Sequence, residues 1–134
     1  MSQANIEIAR GIYEDMNRRN WAAVLAALDE DVVLVVHESV GPDAGVFRGR
    51  DAASRWFAEW FLAFDKDYSF DLDDVRSIGD RVFIAARHHG HGRSSGADVE
   101  QVNAQLLSLH EGKVVQMELY GSPADALKAV GLAE

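Results

Sequence analysis

Ile8, Ile12 and Met16 recur at every fourth position with Ala9 and Tyr13 beside them, the apolar stripe of an amphipathic helix. Ser2 or Asn5 offers a cap for that helix, and Asn17 to Asn20 breaks it. Trp21, Val24, Leu25 and Leu28 form a shorter helical stripe, closed by Asp29 to Asp31. Val32 to His37 is a β-branched run and predicts a strand. Gly41 to Gly45, with Pro42 and Asp43, reads as a loop. Asp51 then offers the cap of a third helix carrying Trp56, Phe57, Trp60, Phe61 and Phe64 in one wide aromatic stripe.

Beyond Asp67 the period falls to two. Tyr68, Phe70 and Leu72 alternate with Ser69, Asp71 and Asp73. Gly79-Asp80 signals a hairpin turn, Arg81 to His91 a strand, and Gly90 to Gly96 a flexible corner. Val99 to His110 and Lys113 to Tyr120 are the last strands, joined at Glu111-Gly112. Ser122 or Asp125 can open a terminal helix that Gly131 ends. Two helices, a strand, a helix and then four strands predict an α+β fold, with helices over one face of a mostly antiparallel sheet. The other sheet face must meet solvent or a second subunit.

Composition narrows the class. The 134 residues are 48% hydrophobic and 26% charged, which is globular and sized for one domain over residues 1–134. Zero Cys excludes disulfides, thiolate metal sites and a Cys nucleophile. Against 22 acidic residues stand 13 Lys plus Arg, for a net charge of −9, which argues against nucleic acid and anionic membrane as partners. No long apolar run predicts a membrane span, and the first ten residues lack the apolar centre of a signal peptide, so a cytoplasmic location is expected. There is no Gly-rich phosphate loop, dinucleotide fingerprint or Gly-x-Ser-x-Gly elbow, and no cofactor is expected.

Several segments in this order resemble the nuclear transport factor two-like superfamily, in its SnoaL-like and ketosteroid isomerase-like branch. They are Asn17-Arg18-Arg19-Asn20-Trp21, Leu28-Asp29-Glu30-Asp31-Val32, Phe47-Arg48-Gly49-Arg50, Gly79-Asp80-Arg81-Val82, Gly112-Lys113-Val114-Val115 and Ala126-Leu127-Lys128-Ala129-Val130-Gly131-Leu132. The resemblance runs along nearly the whole chain. It implies a cystatin-like α+β barrel: a cone in which a curved sheet wraps helices around an apolar pocket. It also implies a homodimer, for which the outer sheet face with Val102 and Leu106 is the expected surface. Because this superfamily holds isomerases, cyclases, hydrolases and non-catalytic binders, it does not specify a reaction.

The resemblance also implies a site. Val36 stands where ketosteroid isomerases carry a catalytic aspartate, and Glu38 lies two residues on, in phase with Val32, Leu34 and Val36. A carboxylate in an apolar pocket has a raised pKa suited to proton transfer, which makes Glu38 one candidate base. His89 is another, since the matching turns Phe83, Ala85, Arg87 and His89 inward and imidazole titrates near neutrality. Gln105 stands where ketosteroid isomerases carry a protonated aspartic acid that donates to the oxyanion, a task an amide can also perform. Tyr13 lies one residue from the position of their oxyanion tyrosine.

Substrate contacts are expected from Trp56 and Trp60 on the third helix, from Arg87 and Asn103 at the strands, and from Leu107, Met117 and Tyr120. His89 and His91 share a strand face but need a third ligand, such as Glu38, from elsewhere, so a polar rim without metal is expected. An epoxide hydrolase would need aspartates beside Arg87, and none faces inward. Two functions stay open. One is cofactor-free isomerisation, cyclisation or dehydration of an apolar carbonyl compound. The other is non-catalytic binding of a small apolar molecule or of a partner chain.

Overall fold

The computed structural model describes residues 2–41 and 44–131, with Ser2 by its backbone alone. Helix α1 spans Ser2–Asn17 and α2 spans Trp21–Ala27. Arg19 turns the chain between them with φ 61, and the Asn20 side chain caps α2 by accepting the Ala23 N–H. Asn5 lies inside α1 rather than at its cap, and the Ser2 side chain lies outside the described residues.

Strand β1, Leu28–Val36, leaves α2 directly and buries Val32, Leu34 and Val36. A short 3-10 turn, Glu38–Val40, follows, and β2, Gly45–Arg48, pairs back antiparallel on β1. The sequence reading takes Gly41 to Gly45 as loop and contains no strand here. Four residues at a sheet edge are too few for an alternation to show. Pro42 and Asp43 of that expected loop lie outside the described residues. Helix α3, Arg50–Leu62, is capped by Gly49 without a side-chain bond. Asp51 sits instead in its first turn, where a carboxylate favours the positive end of the helix dipole.

Strands β3 (Ser69–Ile78), β4 (Arg81–His91), β5 (Asp98–His110) and β6 (Lys113–Tyr120) complete the sheet, and α4 (Pro123–Ala129) follows them. The curved, unclosed sheet runs β2-β1-β6-β5-β4-β3, antiparallel except where β1 meets β6. A bulge between Leu72 and Asp74 resets the phase of β3. The α1 C-terminus is tied to β3 by one side chain: Asn17 donates to the Phe70 carbonyl and accepts the Phe70 N–H, both at 2.9 Å.

The main core lies between the sheet and helices α1, α2 and α3. The sheet contributes Val82, Ile84, Ala86, Leu107, Met117 and Leu119 to it. The opposite face is not bare. There α4 lays Ala126, Leu127 and Val130 over Phe83, Ala85, Ala104, Leu106 and Tyr120. Helices therefore cover both faces, which corrects the one-sided layering read from the sequence. The terminal helix was legible, but nothing in its pattern says which side of the sheet it packs on. Leu106, expected on an open outer face, has no exposed surface, while Val102 is half-buried. No helix among the described residues is long and apolar enough to cross a membrane.

Candidate functional site

Cross-strand register sets which side chains face the helices. Ile84 pairs with Gln105, Ala86 with Asn103 and Val82 with Leu107, so these residues share the inner face. Tyr13, one position past Ile12 on the buried side of α1, meets that face. Its hydroxyl donates to Gln105 Oε1 at 2.7 Å, and Gln105 Nε2 donates to Asn103 Oδ1 at 2.9 Å. All three residues are buried, Asn103 least so. Burial, with the neighbouring Tyr68 adding to it, pushes the Tyr13 phenol well above its ordinary value, so it stays a neutral donor. A polar chain therefore runs from helix to sheet and leaves the Asn103 amide N–H at its free end.

Above it lies a hollow of about 20 Å3, bounded by Met16, Trp56, Phe57, Trp60, Phe70 and Leu119. That volume holds about one water. The interior is thus nearly closed rather than an open greasy cavity. A wider recess of about 200 Å3 lies beyond, against Val36, Gly41, Glu59, Ala63 and Phe64. Val40, Trp56 and Trp60 border both volumes, so these three side chains form the partition. The two indoles stack at 5.4 Å with 15° between their planes.

Other expected site residues lie elsewhere. Glu38 is exposed, because β1 ends at Val36 and the 3-10 turn breaks the two-residue period that would have carried Glu38 inward. Arg87 and His89 point to the opposite sheet face. There Arg87 bonds Asp73 at 2.9 Å and His89 lies 3.1 Å from Asp71. The inward set on β4 is Val82, Ile84, Ala86 and His88, one residue out of phase with the reading of Phe83, Ala85, Arg87 and His89. Val82 to Ala86 is uniformly apolar because both faces of β4 are covered, so the sequence carries no phase signal there.

Tyr120 also sits on the α4 side, with its ring stacked 4.0 Å from His37. An odd separation from Met117 puts the two on opposite faces of β6. Leu107 and Met117 do face inward, buried in the core away from the hollow. His91 is held by Asp67 at 2.6 Å and Asp98 at 3.0 Å, and the hydrogen bond that Asp67 accepts raises its pKa. Among the described residues no cluster of three or more His, Asp or Glu could hold a metal ion.

Two features escaped the sequence reading. The first is a buried chain behind the aromatic wall. Trp60 Nε1 donates to the Tyr68 hydroxyl at 2.7 Å, and that oxygen lies 3.2 Å from His88 Nδ1. The indole N–H can only donate, while between Tyr68 and Nδ1 the tautomer of the His88 ring sets which group donates. His88 Nε2 is buried without a partner among the described residues. Burial, with His89 adjacent, pushes the His88 pKa down from 6.5 to about 4, so the ring is neutral near pH 7. The second is Glu59, an exposed residue and, among the described residues, the one carboxylate bordering the 200 Å3 recess. Its place three residues past Trp56 on α3 was a signal that could have found it.

A family model of the SnoaL-like domain matches residues 9–117. The chain belongs to the SnoaL-like domain family. Solved structures agree with that placement. A protein described as a SnoaL-like polyketide cyclase, from Jannaschia sp. CCS1, superposes with a TM-score of 0.80 at 18% identity, covering 100% of this chain and 96% of that one. TerC, co-crystallised with polyporic acid, gives 0.76 at 18% identity over 96% of this chain and 98% of that one. A protein of ketosteroid isomerase-like fold from Catenulispora acidiphila, in complex with trimethylamine, gives 0.74 at 21% identity over 94% and 93%. At these identities the likeness is one of fold. No curated protein matches the chain. In this SnoaL-like domain the hollow between sheet and helices is lined by the aromatic side chains of Trp56, Phe57, Trp60 and Phe70.

Proposed function

We propose that this SnoaL-like domain binds a small, largely apolar molecule carrying a carbonyl or similar acceptor, seated in the recess behind Trp56 and Trp60. The observation that carries this reading is the Tyr13–Gln105–Asn103 chain. It is a buried row of donors that ends on a free amide N–H beside an apolar hollow. An acceptor there would pair with that N–H, which favours a carbonyl over a hydrocarbon. The ligand-bound neighbours support a small-molecule occupant: TerC was crystallised with polyporic acid and the Catenulispora protein with trimethylamine. From the recess, contact with the Asn103 amide requires Trp60 or Val40 to move, since the hollow itself admits about one water.

The probe pair 1-tetralone and tetralin tests this, because the two differ only by the carbonyl. The ketone is expected to bind more tightly and to shift the Trp56 and Trp60 indole resonances. Gln105→Leu is expected to erase the difference. Equal affinity for both probes, or shifts confined to Trp21, would sink the reading.

A second reading is favoured by Glu59. Once Trp60 or Val40 has moved aside, a carboxylate bordering the recess can take a proton from the carbon beside a carbonyl while the Asn103 amide holds the developing oxyanion. This is cofactor-free proton transfer, as in an isomerase, cyclase or dehydratase. Deuterium exchange into 1-tetralone next to its carbonyl reads that step directly. Glu59→Gln should slow it by about 10²-fold or more, and Glu38→Gln should leave it unchanged. Exchange no faster than in buffer removes the catalytic reading and leaves binding intact.

A further inference from the structure

An apolar concavity larger than the recess lies elsewhere on the molecule. It lies between α2 and α3, with a volume of about 440 Å3. Phe57 and Phe64 wall it off from the inner hollow and the recess, and Trp60 does not border it. Val24, Leu28 and Phe57 form a buried floor. Trp21 and Phe61 stand over that floor edge to face, 4.9 Å apart. Leu62 stands at the lip, 61% exposed.

The charge around this groove runs against the rest of the molecule. The chain carries 22 acidic residues against 13 Lys plus Arg. The groove is bordered by Arg19, Lys66 and Arg93 and by a single acid, Asp65. None of the three cations lies within ion-pair distance of a carboxylate among the described residues. The two arginines are held by backbone carbonyls instead. Arg19 donates to Tyr68 O at 2.7 Å and to Met16 O at 3.1 Å, with its guanidinium 4.8 Å over the Phe61 ring. Arg93 donates through Nε and Nη2 to Phe64 O at 3.2 and 3.1 Å. Carbonyl contacts fix the position of a guanidinium without cancelling its charge. The result is an oriented positive rim around an apolar trough.

We propose that this groove is a second binding site, taking a small amphipathic carboxylate with its apolar body against Phe57 and Phe61 and its anion at the Arg19–Lys66–Arg93 rim. The dimensions favour a small molecule over a protein partner. The volume falls within the range of small-ligand pockets, whereas a stable protein interface needs about 1,000 Å2 or more of buried surface. The charges favour an anion over a neutral hydrocarbon, because a neutral occupant would leave three cations beside a newly dried surface without compensation. The site stands independently of the reading of the inner pocket.

Sodium decanoate and 1-decanol, equal in length and different in charge, are the probes. Binding is followed by calorimetry and by the indole resonances. Decanoate is expected to bind about tenfold or more tightly than decanol at low salt, to shift Trp21, and to lose most of that margin in about 1 M salt. The double variant Lys66→Gln, Arg93→Gln should abolish the preference for the anion while decanol binding persists. Ala58→Trp, at an exposed position bordering the groove, should block both probes. Gln105→Leu should alter neither. The proposal is overturned if decanoate fails to bind at millimolar concentration, if it binds no better than decanol, or if the double variant keeps the anion preference. It is overturned equally if the shifts fall on Trp56 and Trp60 and vanish in Gln105→Leu, which would assign the probe to the inner pocket.

Discussion

Tyr13 and Gln105 each satisfy the other's buried polar atom at 2.7 Å. Removing one partner strands the other, so Tyr13→Phe and Gln105→Leu should each lower stability by about 1–3 kcal/mol. The double variant should cost less than the sum of the two, because the Tyr13–Gln105 bond is then lost once and only Asn103 Oδ1 is left without its donor. Urea unfolding of the four proteins measures the coupling, and strict additivity would show that the bond contributes nothing. Gln105 was legible through the resemblance, which sets it at an oxyanion-donor position, and Asn103 because it lies two residues before Gln105 on the same strand face. His88 was not, since adjacent histidines give no clue which one turns inward. That ring titrates at about 4 in the folded chain and at 6.5 when unperturbed. Between those values the unfolded chain binds more protons, so stability falls as pH drops from about 6.5 to about 4 and levels off below. His88→Phe should flatten that part of the profile relative to wild type. Parallel profiles for the two proteins would show that His88 is not the group responsible.

At the level of elements, two glycines make opposite predictions. Gly90 lies in β4 with φ 150, and a Cβ there would come within 2.8 Å of the Tyr68 Cα. Gly90→Ala should destabilise by about 2 kcal/mol or more, because backbone and not a flexible side chain stands in the way. Gly11 sits within α1 with open space where a Cβ would go. Gly11→Ala should stabilise by about 0.5–1 kcal/mol through helix propensity alone. Thermal melts of both variants check the signs: a Gly90→Ala as stable as wild type would contradict the packing of Gly90 against Tyr68, and a destabilised Gly11→Ala would contradict the open space at Gly11. The long elements were legible because each holds one period for three or more repeats. The 3-10 turn at Glu38 and strand β2 were not, being only three and four residues long. That small irregularity moved a candidate base from the interior to the surface.

For the whole molecule, net charge dominates what is not packing. At −9 the folded chain repels itself, and salt screens exposed charges over about 10 Å at 0.1 M. Raising salt from about 0.01 to 0.2 M should therefore raise the melting temperature, and a lowered one would show that attractive pairs such as Arg81–Glu118 at 2.9 Å outweigh the repulsion. Element order, the α+β class and the resemblance to the SnoaL-like family could be read from local periodicity and motif order, because both are written in neighbouring residues. Only the tertiary structure decided that α4 covers the outer sheet face, that His88 rather than His89 turns inward, and that the interior beside Gln105 is nearly filled. Those outcomes depend on the register between strands far apart in sequence and on which surfaces meet across the core. Local pattern carries no phase signal wherever both faces of a strand are buried.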